Sequence, residues 1–372
     1  MEEMKTFIFT NELERIIISV KNETTIQELI NEYYKRVQKK NLIYNNIEKT
    51  YFMYNCEKIN YNNNKETVQS YFNENLETIN VRRLDYGNYF RNYEKIRTIK
   101  DNFYTSVIEA KINKENCKIK NVAVKKINKD KIKEDMMEDL CLSEITEKQF
   151  LPEIRKFNEE IKNMELCHCE NSVEIYDYFD TEKEFIIVME LCDDTLLHKL
   201  SETENGFDTE QIKDILLQLN NVFKKMQEYK IIHRDIKLNN ILIKYLDDSK
   251  TKFKVLLSDY GISNQLNGLT KRLKTIIGTK KIMAPEILNN EKYNSKCDLW
   301  SLGVNIYRLK TKKLPYTGKV DIEILNEIKD KGLSVLDDIK DDKLKNLLSR
   351  LLVRDPKNRI SWEDYFEHDF FK

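Results

Sequence analysis

A few side chains in the middle of this sequence have types and spacings that suit chemistry on phosphate. In His233-Arg234-Asp235-Ile236-Lys237-Leu238-Asn239-Asn240 a carboxylate is followed closely by a lysine and then by an asparagine. Asp259-Tyr260-Gly261 adds a second carboxylate, and Lys125 closes the apolar run Val122-Ala123-Val124-Lys125. Asn240 and Asp259 offer hard oxygen donors of the kind Mg²⁺ prefers. On an extended loop Lys237 points the same way as Asp235 and can neutralise negative charge as it develops. Any one such Asp or Lys would ordinarily be a solvated surface charge, so the argument rests on the ordered set.

The elements that must hold these groups are legible from patterning. From residue 95 onward, β-branched and aromatic runs at 96–110, 122–127, 173–179 and 185–191 read as strands, and mostly helical periodicity follows. A helix over 153–166 carries Glu159 and Glu160, and the charged stretch 129–147 reads as a helical insert with Met136, Met137, Leu140, Cys141 and Leu142. This order predicts a β-rich small lobe followed by a helical large lobe.

Composition sets the outer limits. The 372 residues exceed one usual core, which predicts two or three folded units. Lys plus Arg and Asp plus Glu are 63 each, for a net charge of +0, so the overall balance gives no reason to expect a nucleic-acid or membrane-surface partner. No apolar run is long enough to span a bilayer and the first residues lack a secretory pattern, which predicts a cytoplasmic or nuclear protein. The 7 cysteines are odd in number and scattered, as expected of reduced thiols. Cys167-His168-Cys169 lacks a second ligand pair at zinc spacing and reads as a helix end entering a strand.

The N-terminal segment has its own pattern. Thr6-Phe7-Ile8-Phe9-Thr10 and Arg15-Ile16-Ile17-Ile18-Ser19-Val20 read as a hairpin, and Thr25-Ile26-Gln27-Glu28 is a capping box ahead of Ile26, Leu29, Ile30, Tyr33 and Val37 at helical spacing. Strand-like Tyr51-Phe52-Met53-Tyr54, Cys56-Glu57-Lys58-Ile59 and Thr78-Ile79-Asn80-Val81-Arg82-Arg83-Leu84 follow. The order resembles ubiquitin, which implies a β-grasp domain over 1–86 with a protein partner of its own. No Gly-Gly follows Leu84, so conjugation through such a terminus is not expected, and Met53 and Arg82 stand where ubiquitin carries an apolar recognition patch.

Val122-Ala123-Val124-Lys125, the His233 to Asn240 run, Asp259-Tyr260-Gly261, Ala284-Pro285-Glu286 and Asp298-Leu299-Trp300-Ser301-Leu302-Gly303 together resemble the eukaryotic protein-kinase signature set, in its order. The resemblance implies an α+β chain: the ubiquitin-like domain, then a two-lobed kinase fold over 93–372 with its small lobe at 93–192 and its large lobe at 193–372. It also implies ATP and Mg²⁺ as cofactors and a protein substrate. Lys125 would meet the α- and β-phosphates and pair with Glu160, or with Glu159 beside it. Asp235 would orient the substrate hydroxyl and take its proton, Lys237 would neutralise the transferring group, and Asn240 and Asp259 would hold Mg²⁺. For adenine, Val107 and Ala123 would form the roof and Leu242 the floor, with Met189 at the gate and Glu190 to Cys192 as the hinge. Tyr260, His233, Met164 and Ile175 would complete an apolar column in which the phenol needs a hydrogen-bond partner. Glu286 with Arg359, and Asp298, would be structural. Lys237 and Gly278-Thr279 look like the serine/threonine pattern.

The sequence departs from that pattern at the glycine-rich loop, where Lys100, Asn102 and Thr105 hold the glycine positions. Side chains there should keep backbone amides farther from phosphate and weaken ATP binding, although Asn tolerates unusual backbone angles and Lys100 adds a cation. A pseudokinase or adaptor is the competing expectation. Retention of Lys125, Asp235, Asn240 and Asp259 favours the enzyme, and the complete segment 259–286 argues against small-molecule substrates. Arg234 beside Asp235 implies control by phosphate at Thr270 or Thr275, with Thr279 instead bonding near Asp235. Lys280 and Lys281 would favour acidic groups just after the phosphoacceptor.

Overall fold

The computed structural model describes residues 4–11, 14–21, 23–39, 50–54, 57–58, 68, 76–83, 93–112, 121–260 and 280–372. Thr270, Thr275, Thr279, Gly261, Cys56, Leu84 and the 85–92 connection lie outside them.

In the N-terminal segment, β1 (Met4–Asn11) and β2 (Glu14–Lys21) form the expected antiparallel hairpin, with Phe7 opposite Ile18. Thr25 and Glu28 cap α1 (Ile26–Lys39) reciprocally: the Glu28 N–H donates to Thr25 Oγ1 at 3.2 Å and the Thr25 N–H donates to Glu28 Oε2 at 2.9 Å. Phe7, Ile18, Ile26, Leu29, Ile30, Tyr33 and Val68 are buried. β3 (Thr50–Tyr54), β4 (Glu57–Lys58) and β5 (Leu76–Arg83) complete a sheet of order β2-β1-β5-β3-β4, in which β1 and β5 run parallel.

A second sheet has the order β6-β7-β8-β10-β9, from β6 (Tyr93–Asp101), β7 (Thr105–Ile112), β8 (Asn121–Asn128), β9 (Ile175–Asp180) and β10 (Glu184–Glu190). The single strand expected over 96–110 is a hairpin instead. Alternation alone does not mark its turn, because Phe103 and Tyr104 at the tip are as β-prone as the strands. One face of this sheet packs a core of Ala110, Val122, Val124, Phe179, Ile186 and Val188.

The insert after β8 is α2 (Lys129–Leu140), capped by Asn128 Oδ1, which accepts from the Lys131 N–H at 3.0 Å. Buried Lys129 pairs with Asp180, donates to the Thr181 carbonyl, and lies 4.3 Å over the Phe185 ring. α3 (Glu147–Leu166) begins six residues before the expected start at 153. A Thr146/Gln149 capping box nucleates the helix nearly two turns earlier, and Pro152 sits within it. Cys167 caps its C-terminus, as expected for the Cys167-His168-Cys169 run.

β11 (Asp194–Thr195), β12 (Ile241–Tyr245) and β13 (Phe253–Leu257) make a small third sheet. Among the described residues, the α-helices that follow β11 are α4 (Leu196–Glu202), α5 (Thr209–Glu228), α6 (Pro285–Leu288), α7 (Lys296–Thr311), α8 (Asp321–Lys331), α9 (Asp342–Leu351) and α10 (Trp362–Phe366). α7 is the spine of this part, with Leu299, Trp300, Leu302, Val304 and Ile306 buried. The chain divides into two compact units, 1–132 with 175–191 and 133–174 with 192–372. α3 therefore belongs to the second unit, whereas the sequence boundary placed it in the small lobe. Among the described residues no helix is long and apolar enough to cross a membrane.

Candidate active site

Asp235, Lys237 and Asn240 fall in the stretch between α5 and β12 and are tied by short hydrogen bonds. Lys237 Nζ lies 2.6 Å from Asp235 Oδ2, and Asn240 Nδ2 donates to the same oxygen at 2.9 Å and to the Asp235 carbonyl at 3.0 Å. Two donors on one oxygen fix the rotation of the carboxylate. Because both Asn240 Nδ2 bonds go to Asp235, the Asn240 Oδ1 is the acceptor end of that amide, the chemistry a Mg²⁺ ligand requires. Asp235 and Asn240 are buried and Lys237 is half-buried.

A second layer of bonds holds this loop from behind. Asp298, at the start of α7, accepts the His233 N–H through Oδ2 and the Arg234 N–H through Oδ1, each at 2.8 Å. Burial pushes the Asp298 carboxyl up, against these two bonds and the nearby His233 and Arg234, which pull it down. The His233 ring accepts the Asp235 N–H at Nδ1, 3.3 Å, so Nε2 carries the proton it donates to the Ser258 carbonyl at 3.1 Å. Ser258 in turn donates to the Asn240 carbonyl through both its N–H and Oγ, at 2.9 Å each. These links tie the residue just before Asp259 to Asn240. Arg234 and Asp259 both take left-handed backbone conformations, φ 66° and 58°, which are costly for side-chain-bearing residues and persist where the surroundings over-determine them.

Tyr260 packs against His233, ring centroids 5.2 Å apart, as the expected column requires. Its hydroxyl is buried and has no hydrogen-bond partner among the described residues, so the partner expected for it is not found. Burial, with Cys167 and Cys169 nearby, drives that phenol well above its ordinary range.

In the first unit, strand register decides which residues share a face. Lys125 pairs across to Val107 on β7 and Ile187 on β10, and Ala123 pairs to Met189. Residues directly opposite one another point to the same side of a sheet. Val107, Ala123, Lys125 and Met189 therefore lie together on the face opposite the Val122/Val124 core, and Lys125 is buried. Lys100 is exposed on β6, opposite Val107. The β6–β7 turn closes with the Asn102 N–H donating to the Thr105 carbonyl at 2.8 Å, and none of residues 101–105 takes a positive φ. The tolerance of Asn102 for unusual backbone angles is therefore not used here; a turn without positive φ stands at the glycine-loop position.

The remaining expected residues are placed individually. Glu160 is buried on α3 and Glu159 is exposed. Leu242 is half-buried on β12, opposite Thr195 of β11. Glu190 ends β10, and Cys192 follows it, half-buried. Glu286 and Arg359 form a bidentate pair at 2.7 and 3.0 Å, both almost fully buried. Lys280 pairs with Asp321 at 2.8 Å, so its charge is met within the chain, a partner the sequence did not suggest. Ser258, described above, and Asn305, taken up below, were also missed. Their only signal is polarity inside apolar runs.

The protein kinase domain family model matches residues 93–371, most of the chain. The chain belongs to the protein kinase family. It is 27% identical over 224 residues to serine/threonine-protein kinase 33 of Bos taurus, covering 58% of this chain and 46% of that protein. It is 29% identical over 257 residues to serine/threonine-protein kinase ATG1b of Arabidopsis thaliana, covering 68% and 32%. Identity to serine/threonine-protein kinase atg1 of Dictyostelium discoideum is 32% over 207 residues, covering 55% and 30%. The chain thus spans less than half the length of these curated relatives.

Proposed function

We propose that the chain is a serine/threonine protein kinase that transfers the γ-phosphate of ATP to protein Ser and Thr hydroxyls. The observation that carries this reading is the clamp on Asp235, whose Oδ2 is held by Lys237 at 2.6 Å and by Asn240 at 2.9 Å within a kinase-family domain. Asp235 orients the acceptor hydroxyl and takes its proton. Lys237 neutralises charge on the transferring group. Asn240 and Asp259 would hold Mg²⁺, which when bound neutralises the phosphate oxygens. Lys125 would bind the α- and β-phosphates, and of the two carboxylates that the kinase resemblance offers it as a partner, Glu160 is buried and Glu159 is exposed. For adenine, Val107, Ala123 and Met189 share the Lys125 face of the sheet, the kinase resemblance adds Leu242 and the Glu190 to Cys192 backbone, and Lys100 adds a cation at the β6–β7 turn. Radiolabelled ATP with the purified chain and a generic protein substrate tests the reading. Asp235→Ala and Lys125→Met should each abolish transfer while the fold stays intact, the loss of the base costing about 10²–10⁴ in rate. Wild-type turnover in both variants would sink it.

Two finer readings accompany this one. The order β2-β1-β5-β3-β4 with parallel β1 and β5 supports a ubiquitin-like module over 1–86 that binds a protein partner. Control by phosphate at Thr270 or Thr275 is supported by Arg234 beside Asp235, and mass spectrometry of active enzyme should find phosphate within 259–286.

A further inference from the structure

α7 anchors the catalytic loop at a second point, through a residue whose type is out of place. Asn305 is buried in an apolar stretch of that helix, among Leu302, Val304 and Ile306. Its Nδ2 donates to the Ile236 carbonyl at 2.8 Å and to the Ser301 carbonyl at 2.6 Å. Both partners are acceptors, so the amide can point only one way. The consequence is a buried Oδ1 with no partner among the described residues. An aliphatic side chain at this position would leave no such orphan. The amide thus carries a desolvation penalty that the packing of α7 does not require.

What the amide does hold is the backbone between the working side chains. Ile236 lies between Asp235 and Lys237, and its carbonyl belongs to the peptide that leads into Lys237. Two turns earlier on the same helix, Asp298 accepts the N–H groups of His233 and Arg234. The loop is therefore fixed at both ends on one rigid element, its N–H groups by a carboxylate and its carbonyl by an amide. Resting on the kinase reading above, we propose that Asn305 is a positioning residue for phosphoryl transfer. It sets the orientation of the 236–237 peptide, and through it the placement of Lys237 against Asp235, while contributing nothing to the stability of the fold. A small misplacement of reacting groups can cost about a hundredfold in rate, so the effect belongs in turnover rather than in binding.

The test compares full-length wild type, Asn305→Leu and Asn305→Ala. Thermal unfolding, binding of a non-hydrolysable ATP analogue, and kcat and KM for ATP and a peptide would be measured, with kcat expressed per nucleotide-binding site. The expected result for Asn305→Leu is a Tm equal to or above wild type, unchanged KM values, and a kcat lower by about 10- to 100-fold. Asn305→Ala removes the same donor and the same orphan without adding volume, and should show the same loss of kcat per binding site. Wild-type kcat per binding site in either variant would overturn the proposal, and so would failure of both to fold. A wild-type chain that transfers no phosphate would sink the kinase reading and this proposal together, whereas an active wild type with an equally active Asn305→Leu would sink the proposal alone.

Discussion

Lys237 Nζ stands 2.6 Å from Asp235 Oδ2, closer than the Asn240 Nδ2 that donates to the same oxygen at 2.9 Å. In the proposed function the lysine would serve two ends at once: it fixes the carboxylate in the loop and would supply positive charge where the phosphoryl group passes. Lys237→Ala should lower kcat by about 10²-fold, the scale of losing one preorganised electrostatic contact, with a smaller effect on the KM for ATP. Steady-state kinetics with varied ATP separates the two, and a change confined to KM would contradict this role.

The Glu286–Arg359 pair predicts a stability effect with a built-in control. Both side chains are almost fully buried, and Arg359 also donates to the Lys296 carbonyl at 2.8 Å and the Val353 carbonyl at 3.0 Å. Arg359→Leu strands a buried carboxylate and should cost about 3–5 kcal/mol. Adding Glu286→Met removes that stranded charge, so the double variant should recover part of the loss. Chemical denaturation of the three proteins checks the order.

Tyr260 makes the opposite prediction. Its hydroxyl is buried without a partner among the described residues, so Tyr260→Phe removes a desolvated group and leaves the ring contact with His233. Stability should rise by about 1 kcal/mol, read as a Tm higher by a few degrees. A fall in Tm would mean that the hydroxyl is bonded in solution.

Two histidines should titrate on opposite sides of 6.5. The Asp194 carboxylate, 2.7 Å from His198 Nδ1, raises His198, so whatever stability that pair adds is fully present below 6.5 and fades as pH rises through the raised value. Burial lowers His368, whose Nδ1 accepts the Phe370 N–H at 3.1 Å, which leaves Nε2 as the donor to Asn346 Oδ1 at 2.9 Å. Protonating Nδ1 breaks the bond to Phe370, so this contribution is present above 6.5 and is lost as pH falls through the lowered value. NMR titration of the two rings, with Asp194→Asn returning His198 towards 6.5, would confirm both signs.

The residues proposed for the chemistry could be picked out from sequence because their spacing is local. Asp235, Lys237 and Asn240 share one loop, and a hydrogen-bonded clamp among them needs no distant partner. The Thr25/Glu28 box likewise announced α1 within four residues. Local signals were missed in two places: the Thr146/Gln149 box starts α3 nearly two turns before residue 153, and aromatic Phe103 and Tyr104 hid a turn. Tertiary structure alone decided which oxygens and carbonyls those local groups would meet. The Asn305 bond to Ile236 spans 69 residues and the Arg359 bond to Glu286 spans 73. Lys125 shares a face with Val107 and Met189 because of strand register, and a slip of one residue would turn it into the opposing core. Composition and periodicity carry which side chains are polar and where helices turn; the pairing of a buried donor with one particular acceptor depends on chain segments far apart in sequence, and it becomes determinate only when packing brings them together.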